Sequence, residues 1–237
     1  MAKIKSKDRT VASGVVNGEE DRTLPTGATT AVQARGSKKH HLLTFALAAI
    51  VVWILGTPAY VYFFPHIFYN NLERVIVQRG IGSTTTTGGS SGIPVNTLYA
   101  MPNLASPATS TSNLLLTDTN HDTLYTVGWL ELSKGPQVLH VPDMAGRYYS
   151  IEFVDPWGDV FAYVGRRTTG TRAGDTLISG PGWQGTLPEG LTQIISPNNT
   201  VLLIGRVLAE SESDLATAYG LEKQIRLTPL SRWQPGQ

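Results

Sequence analysis

The chain has 237 residues, of which 41% are apolar and 16% charged, with 24 glycines, 14 prolines and no cysteine. The lack of cysteine excludes disulfides, thiolate metal sites, a cysteine nucleophile and a lipid-modified cysteine. Residues 1–41 hold eight of the 19 Lys and Arg residues and four of the 18 acids, so the remaining chain carries a net charge of −3. That charge gives no basis for a nucleic-acid surface on the folded part. The glycine and proline content favours a loop-rich β domain.

Residues 1–41 are polar and show no hydrophobic periodicity, which predicts a disordered tail. The segment Leu42–Phe64 follows with 23 residues and no charge. At about 1.5 Å per residue it reaches ~34 Å, enough to cross the ~30 Å core of a bilayer, so we predict a transmembrane helix. The alternative, a cleaved signal peptide, requires a polar leader much shorter than 41 residues.

Basic residues flank the start of this helix and set its predicted orientation. Lys38 and Lys39 precede Leu42, and the positive-inside rule then places the tail in the cytoplasm. The rest of the chain is expected on the exported side of the plasma membrane, periplasmic or extracellular. The tail either contacts nothing or becomes ordered along a cytoplasmic partner.

Residues 65–92 are predicted to leave the membrane as a helix and a flexible linker. In Pro65–Gln78 apolar residues recur at helical spacing, and Gly80–Gly92 is a low-complexity run of Gly, Ser and Thr.

The segment 93–237 contains short strand patterns separated by Pro, Gly, Asn and Asp turns. This spacing predicts a mainly β fold, a sandwich or jelly-roll-like domain. Ser211 and Asp214 indicate the start of a short C-terminal helix, Glu212–Arg226. The predicted strands are Thr97–Met101, Asn113–Thr117, Thr123–Ser133, Gln137–Val141, Arg147–Val154, Asp159–Val164, Asp175–Ser179, Thr192–Ile195 and Thr200–Val207.

Ordered sequence blocks in this segment carry a family resemblance. They are Gly92–Asn96, Asn120–Tyr125, Trp129–Leu132, Val141–Asp143, Gly146–Ser150, Phe161–Gly165, Arg167–Gly170, Gly180–Gly185, Leu203–Arg206 and Arg226–Leu230. Over about residues 58–232 the chain resembles the family called "domain of unknown function 1254". The resemblance implies a β-rich, sandwich-like fold that is exported or anchored to a membrane, and it implies no catalytic residues.

The chain departs from the family pattern in two ways. Family members usually continue into a second β domain after the block Leu227–Leu230, whereas this sequence stops at Gln237. We therefore expect either a separate polypeptide that carries the second domain or a protein that works without it. The usual Asn-Asn-Asp block reads Asn120-His121-Asp122 here.

Candidate catalytic residues are few. The block Asn120, His121, Asp122 and Tyr125 contains groups that bind ligands or transfer protons. The competing interpretation is an Asx-type turn that enters a strand. Arg147 has the geometry to clamp a ligand carboxylate, or it pairs internally with one of the acids Glu152, Asp143 and Asp155.

Metal sites and cofactors receive little support from the sequence. Asp155 and Asp159 flank the turn Pro156–Gly158, where two carboxylates suit calcium or a pair of glycosidase acids. The turn itself explains both residues. Only His121 and His140 among the histidines lie in the predicted β domain, too few for a zinc site. We predict no metal and no cofactor.

Three tryptophans are candidate partner contacts, and for the two in turns, Trp157 and Trp183, core packing is the alternative. Trp53 lies in the predicted membrane helix, and Trp157 and Trp183 lie in Pro/Gly turns. Trp129, in the middle of a strand pattern, is expected in the core.

Two functions fit these patterns. The favoured one is a non-catalytic accessory subunit of a larger membrane complex, which contacts other membrane subunits through its helix and tail. The alternative is half of a split hydrolase-like enzyme, completed by a separate polypeptide.

Overall fold

The computed structural model describes residues 30–79, 92–104 and 121–236; within helix α1, side chains are described from His40 to Gln78. Helix α1 spans Thr30–Arg79 and contains Pro58 and Pro65. It begins before the predicted boundary at Leu42, and the predicted membrane and exit segments form one helix. By length and composition this helix is able to cross a bilayer. Residues 1–29, residues 80–91 of the predicted linker and the predicted strand Asn113–Thr117 lie outside the described residues.

Two compact units divide the chain, residues 1–57 and 58–237. In the described part of the second unit, nine strands form two sheets. The strands are β1 (Leu98–Ala100), β2 (Thr123–Glu131), β3 (Gln137–Val141), β4 (Tyr149–Val154), β5 (Val160–Gly165), β6 (Gly174–Ser179), β7 (Thr192–Ile195), β8 (Thr200–Leu208) and β9 (Arg226–Pro229). A short helix, α2, covers Leu215–Glu222. The mainly β class with a short C-terminal helix is confirmed.

The five-stranded sheet has the order β1-β2-β8-β4-β5, and the four-stranded sheet has the order β7-β6-β3-β9. Neighbouring strands are antiparallel except β6 and β7, which are parallel. The main core lies between the inner faces of the sheets, where Leu124, Ile151 and Leu203 meet Leu139 and Ile178. All five of these side chains are fully buried. The two sheets therefore form a sandwich.

Strand β2 is buried along almost its whole length instead of alternating. Its inner face packs into the core, and its outer face carries Val127 and Trp129, which pack against Tyr69, Leu72 and Ile76 of α1. Tyr69 and Trp129 make an edge-to-face contact with ring centroids 4.7 Å apart. The last turns of α1 are thus part of the β domain's hydrophobic packing.

The segment that begins at Gly92 is fixed to both α1 and β2. The backbone N–H of Ile93 donates to the carbonyl of Ile76 at 3.1 Å. Asn96 has a positive φ of 62°, a conformation that asparagine tolerates. Its amide donates to the Glu131 carbonyl at 3.2 Å and accepts from the Glu131 N–H at 2.9 Å. These contacts align β1 beside β2.

The C-terminal region differs from its prediction. A 3₁₀ turn at Glu212–Asp214 precedes α2, which ends at Glu222 and not at Arg226. Arg226 begins β9, which pairs with β3 at the edge of the four-stranded sheet. β9 was not predicted because it has four residues, contains Pro229 and lacks a clear alternation.

Candidate functional site

The residues of the predicted polar block Asn120–Tyr125 lie in different environments. Asn120 lies outside the described residues, and His121 and Asp122 are exposed in a bend before β2. The carbonyl of Asp122 accepts a hydrogen bond from the Ala209 N–H at 2.8 Å. Tyr125 is buried on the outer face of β2. Its ring lies 5.6 Å from the guanidinium of Arg206 on β8.

Arg147 forms an internal ion pair, with a partner that the sequence did not indicate. Its two terminal nitrogens both contact the carboxylate of Asp214, and Nη2 donates to Oδ1 at 2.8 Å. Nη1 also donates to the Leu208 carbonyl at 2.7 Å. The hydrogen bond to Arg147 holds the pKa of Asp214 down at about 2. Arg147 therefore binds a carboxylate with both terminal nitrogens, but this carboxylate is Asp214 of the same chain and not a ligand.

Asp155 organises the turn between β4 and β5. Its Oδ1 accepts from the N–H groups of Trp157 at 2.8 Å and Asp159 at 3.0 Å. Gly158 has φ +88°, which glycine adopts without strain. The Asp155 carboxylate therefore stabilises the turn through hydrogen bonds to its backbone.

The three tryptophans proposed as partner contacts have different environments. Trp53, in α1, is 72% exposed. Trp157 is 39% exposed and lies against Tyr62 and His66, with ring centroids 5.4 and 5.2 Å away. Tyr62 and His66 are four residues apart on α1, so they present neighbouring faces to the indole. Trp183 is partly buried on the outer face of the four-stranded sheet.

A cavity of about 400 Å³ opens on the outer face of the five-stranded sheet. It lies on β4, β5 and β8 and in the loop after β5. Its lining is mostly polar and aromatic and consists of Tyr148, Tyr149, Ser150, Glu152, Tyr163, Gly165, Arg167, Thr168 and Arg206.

Arg206 is the central charged group of this cavity. Strand register places it between Tyr125 on β2 and Ser150 on β4. Its Nη2 lies 3.5 Å from Oε1 of Glu152, and its Nε is buried without a hydrogen-bond partner among the described residues. On the other side of the cavity, the guanidinium of Arg167 lies 5.9 Å from the ring centre of Tyr148.

A second polar cluster lies on the outer face of the four-stranded sheet. His140 Nδ1 and Asp175 Oδ1 are 2.6 Å apart, and the Trp233 indole N–H donates to Asp175 Oδ2 at 3.0 Å. His140 and Asp175 face each other in the register of β3 and β6. A carboxylate that orients an imidazole in this way is one part of a general-base pair.

The inner face of the five-stranded sheet holds a buried acid, Glu222 of α2. It is fully buried, and its Oε1 accepts a hydrogen bond from the Thr126 hydroxyl at 2.6 Å. Burial raises its pKa to about 8, against the lowering effect of the Thr126 hydrogen bond. Its Oε2 has no hydrogen-bond partner in the described part of the chain.

Sequence reasoning missed Arg206, the His140–Asp175 pair and Glu222. A signal existed for Arg206, because it is a charged residue inside the otherwise apolar strand pattern Val201–Val207. His140 and Asp175 each lie in a predicted strand, but their pairing depends on sheet order. Glu222 lies near the end of α2, where an acid gives no sign of burial.

Comparisons with known proteins identify a family and a fold. The family model described as "Protein of unknown function (DUF1254)" matches residues 95–229. The VPA0106 protein from Vibrio parahaemolyticus has a similar structure, with a TM-score of 0.55 and 25% identity; the match covers 73% of this chain and 37% of that protein. This chain therefore spans little more than a third of its structural neighbour.

A weaker similarity is to a putative uncharacterized protein from Burkholderia cenocepacia, with a TM-score of 0.37 and 11% identity over 59% of this chain and 36% of that one. No curated protein matches the sequence.

Proposed function

Given that the chain belongs to the DUF1254 family, whose function is unknown, we propose that it is a single-span, membrane-anchored accessory subunit of a larger membrane protein complex. In this proposal the N-terminal tail is cytoplasmic, and the β domain lies on the exported face of the plasma membrane.

The observation that carries the proposal is the exposed apolar surface of α1. Phe45 is 74% exposed, Val52 69% and Trp53 72%, and none of the most apolar stretch of the helix is buried. Exposure of such a surface to water is unfavourable by about 25 cal/mol per Å². A bilayer or the helices of partner subunits remove that cost.

The attachment of α1 to the β domain supports a structural role. Tyr69, Leu72 and Ile76 are buried against the five-stranded sheet, and the Tyr69 hydroxyl donates to the Val154 carbonyl at 3.2 Å. The helix end and the β domain therefore share one packed cluster. Such a junction suits a subunit that holds its exported domain in a fixed place on a complex.

The aromatic cluster of Tyr62, His66 and Trp157 supplies a contact surface at this junction. Trp and Tyr are enriched both at membrane interfaces and in protein–protein contacts, because each combines a large apolar area with a polar group. Trp157 lies at the tip of the β4–β5 turn, whose backbone Asp155 fixes. We assign to this cluster contact with a partner subunit.

The experiment is purification of the C-terminally tagged full chain from gently solubilised native membranes, followed by native electrophoresis. We expect migration at high molecular weight with a constant, stoichiometric set of membrane proteins. Trp157→Ser should weaken this association, whereas Trp183→Ser, which alters a partly buried residue on the other sheet, should not. Migration of the wild-type chain alone would contradict the proposal.

A second candidate function is half of a split hydrolase-like enzyme, completed by a separate polypeptide. The 2.6 Å contact between His140 and Asp175 favours it, because it orients the imidazole as a general base requires. Purified complex that hydrolyses 4-nitrophenyl acetate, with a rate that falls to the buffer rate in His140→Gln, would support this candidate. Equal rates in the two proteins would remove its support.

A further inference from the structure

The cavity around Arg206 has the features of a ligand site that the accessory-subunit proposal does not use. Its volume of about 400 Å³ lies within the range of ~300–1,000 Å³ typical of small-molecule sites. Its floor is a sheet face, so strand register fixes its side chains. Arg206, Glu152 and Ser150 come from the adjacent strands β8 and β4.

A purely structural role for Arg206 would be neutralisation of Glu152. The geometry of that pair is poor, because the single contact between them is 3.5 Å long, at the limit for a hydrogen bond. Arg147 provides the comparison, because it has a structural role: both of its terminal nitrogens contact the carboxylate of Asp214. Arg206 instead has a side chain that is 43% exposed, against 13% for Arg147, and its ion-pair contact among the described residues is the long one to Glu152. It retains donors for another acceptor.

The charges of the cavity favour an anion with a single negative charge. Arg167 and Arg206 contribute two positive charges and Glu152 one negative charge, which leaves one positive charge in excess. A guanidinium binds a carboxylate through two parallel hydrogen bonds. This complementarity indicates a carboxylate as the charged group of the ligand.

The aromatic side chains favour a flat apolar body attached to that carboxylate. Tyr163 is 46% exposed and lines the cavity, and Tyr148 contributes a second ring beneath the guanidinium of Arg167. Tyrosine rings offer apolar area with little loss of side-chain entropy when a ligand binds. Planar groups stack on such rings.

We propose that this cavity binds a small organic monocarboxylate with a planar apolar body. The carboxylate pairs with Arg206, and the planar body lies against Tyr163 and Tyr148. This inference is independent of the membrane-subunit role.

The test uses the purified full chain in detergent and isothermal titration calorimetry with phenylacetate, cinnamate and indole-3-acetate as probes. We expect at least one probe to show saturable binding with one site per chain. The corresponding neutral alcohols should bind at least about tenfold more weakly, equivalent to ~1.4 kcal/mol.

Three variants separate the site from a general effect on folding. Arg206→Gln should weaken binding by at least about tenfold, and Arg206→Lys by less, because it keeps the charge but loses the two-pronged geometry. Arg172→Gln, a change at an exposed arginine outside the cavity lining, should leave binding unchanged. Near-ultraviolet circular dichroism would establish that each variant is folded.

The proposal would be overturned by the absence of saturable binding for all three probes up to about 10 mM, a range that includes weak ligands with a Kd near 1 mM. Equal affinity for acids and alcohols would also overturn it, because the ligand charge would then play no part. Unchanged binding in a folded Arg206→Gln variant would place the ligand elsewhere.

Discussion

Arg147 and Asp214 join two distant parts of the β domain through a two-pronged ion pair. They are separated by 67 positions in the sequence. Arg147 lies two residues before β4, and Asp214 immediately precedes α2. Since Arg147 also donates to the carbonyl of Leu208 at the end of β8, one guanidinium holds the sheet, the following loop and the start of α2 together.

Removal of this pair should destabilise the domain in a pH-dependent way. Arg147→Met should lower the free energy of unfolding, because it leaves the Leu208 carbonyl and the Asp214 carboxylate without their charged donor. The pKa of Asp214 is lowered from 3.8 to about 2 in the folded state, so its contribution is present above pH ~4 and lost as the pH falls toward 2. Thermal unfolding followed by tryptophan fluorescence measures both effects.

Asp214→Asn is the matched variant for that pH dependence. It should unfold at a lower temperature than the wild-type chain at pH 6, and the difference should shrink between pH 4 and pH 2. A difference that stays constant over this range would show that the carboxylate charge is not the stabilising feature.

The bounds of some strands could be predicted from the sequence, because the turn residues and apolar patterns that define them are neighbours in the chain. Gln137–Val141 and Thr192–Ile195 were predicted with the bounds that the structure has, since turn residues and short apolar patterns define them. The partner of Arg147 was not predictable, because Asp214 comes near only once β8 and the following loop have folded. The cavity around Arg206 also depends on sheet order, which places β8 between β2 and β4. Chain order gives no direct sign of that arrangement.

Glu222 should make the domain less stable as the pH rises from about 4.5 to 8. Its folded pKa is about 8 and its ordinary value is 4.5, so over this interval the unfolded chain has released a proton that the folded chain retains. The free energy of unfolding then falls with increasing pH, by up to about 1.4 kcal/mol per pH unit. Glu222→Gln should remove this slope and unfold at a higher temperature than the wild-type chain at pH 8.

Glu189→Gln is a matched control for Glu222, because Glu189 is exposed. It should retain the wild-type slope across the same pH series. If Glu222→Gln also retains that slope, the pKa of Glu222 in the folded protein is that of an ordinary acid, and its burial does not raise it.

Asp175 should stabilise the C-terminal segment through its contacts with His140 and Trp233. Asp175→Ala removes the acceptor of the 3.0 Å hydrogen bond from the Trp233 indole and of the 2.6 Å contact with His140. We expect a loss of about 1–2 kcal/mol in the free energy of unfolding. We also expect stronger quenching of tryptophan fluorescence by acrylamide as Trp233 becomes more accessible. His140→Gln, which leaves the Trp233 contact in place, should reduce stability without this change in quenching.

Tyr69 should determine how firmly the end of α1 is attached to the β domain. Its ring packs edge-to-face on Trp129, and its hydroxyl donates to the Val154 carbonyl at 3.2 Å. Tyr69→Phe keeps the ring and removes the hydrogen bond, which should cost about 1 kcal/mol. Tyr69→Ala removes both and leaves a cavity beside Trp129, Leu72 and Ile76, which should cost about 3 kcal/mol or more.

Hydrogen exchange of the full chain in detergent measures the attachment directly. The amides of the last turns of α1 and of β2 should exchange faster in Tyr69→Ala, and only slightly faster in Tyr69→Phe, because local opening there breaks the shared cluster. Ile67→Ala, a change at a side chain that is 51% exposed on the same helix, should leave exchange at the wild-type rate. If Tyr69→Ala also exchanges at that rate, the attachment resides in Leu72 and Ile76, and the hydroxyl contact with Val154 contributes little to the position of the domain.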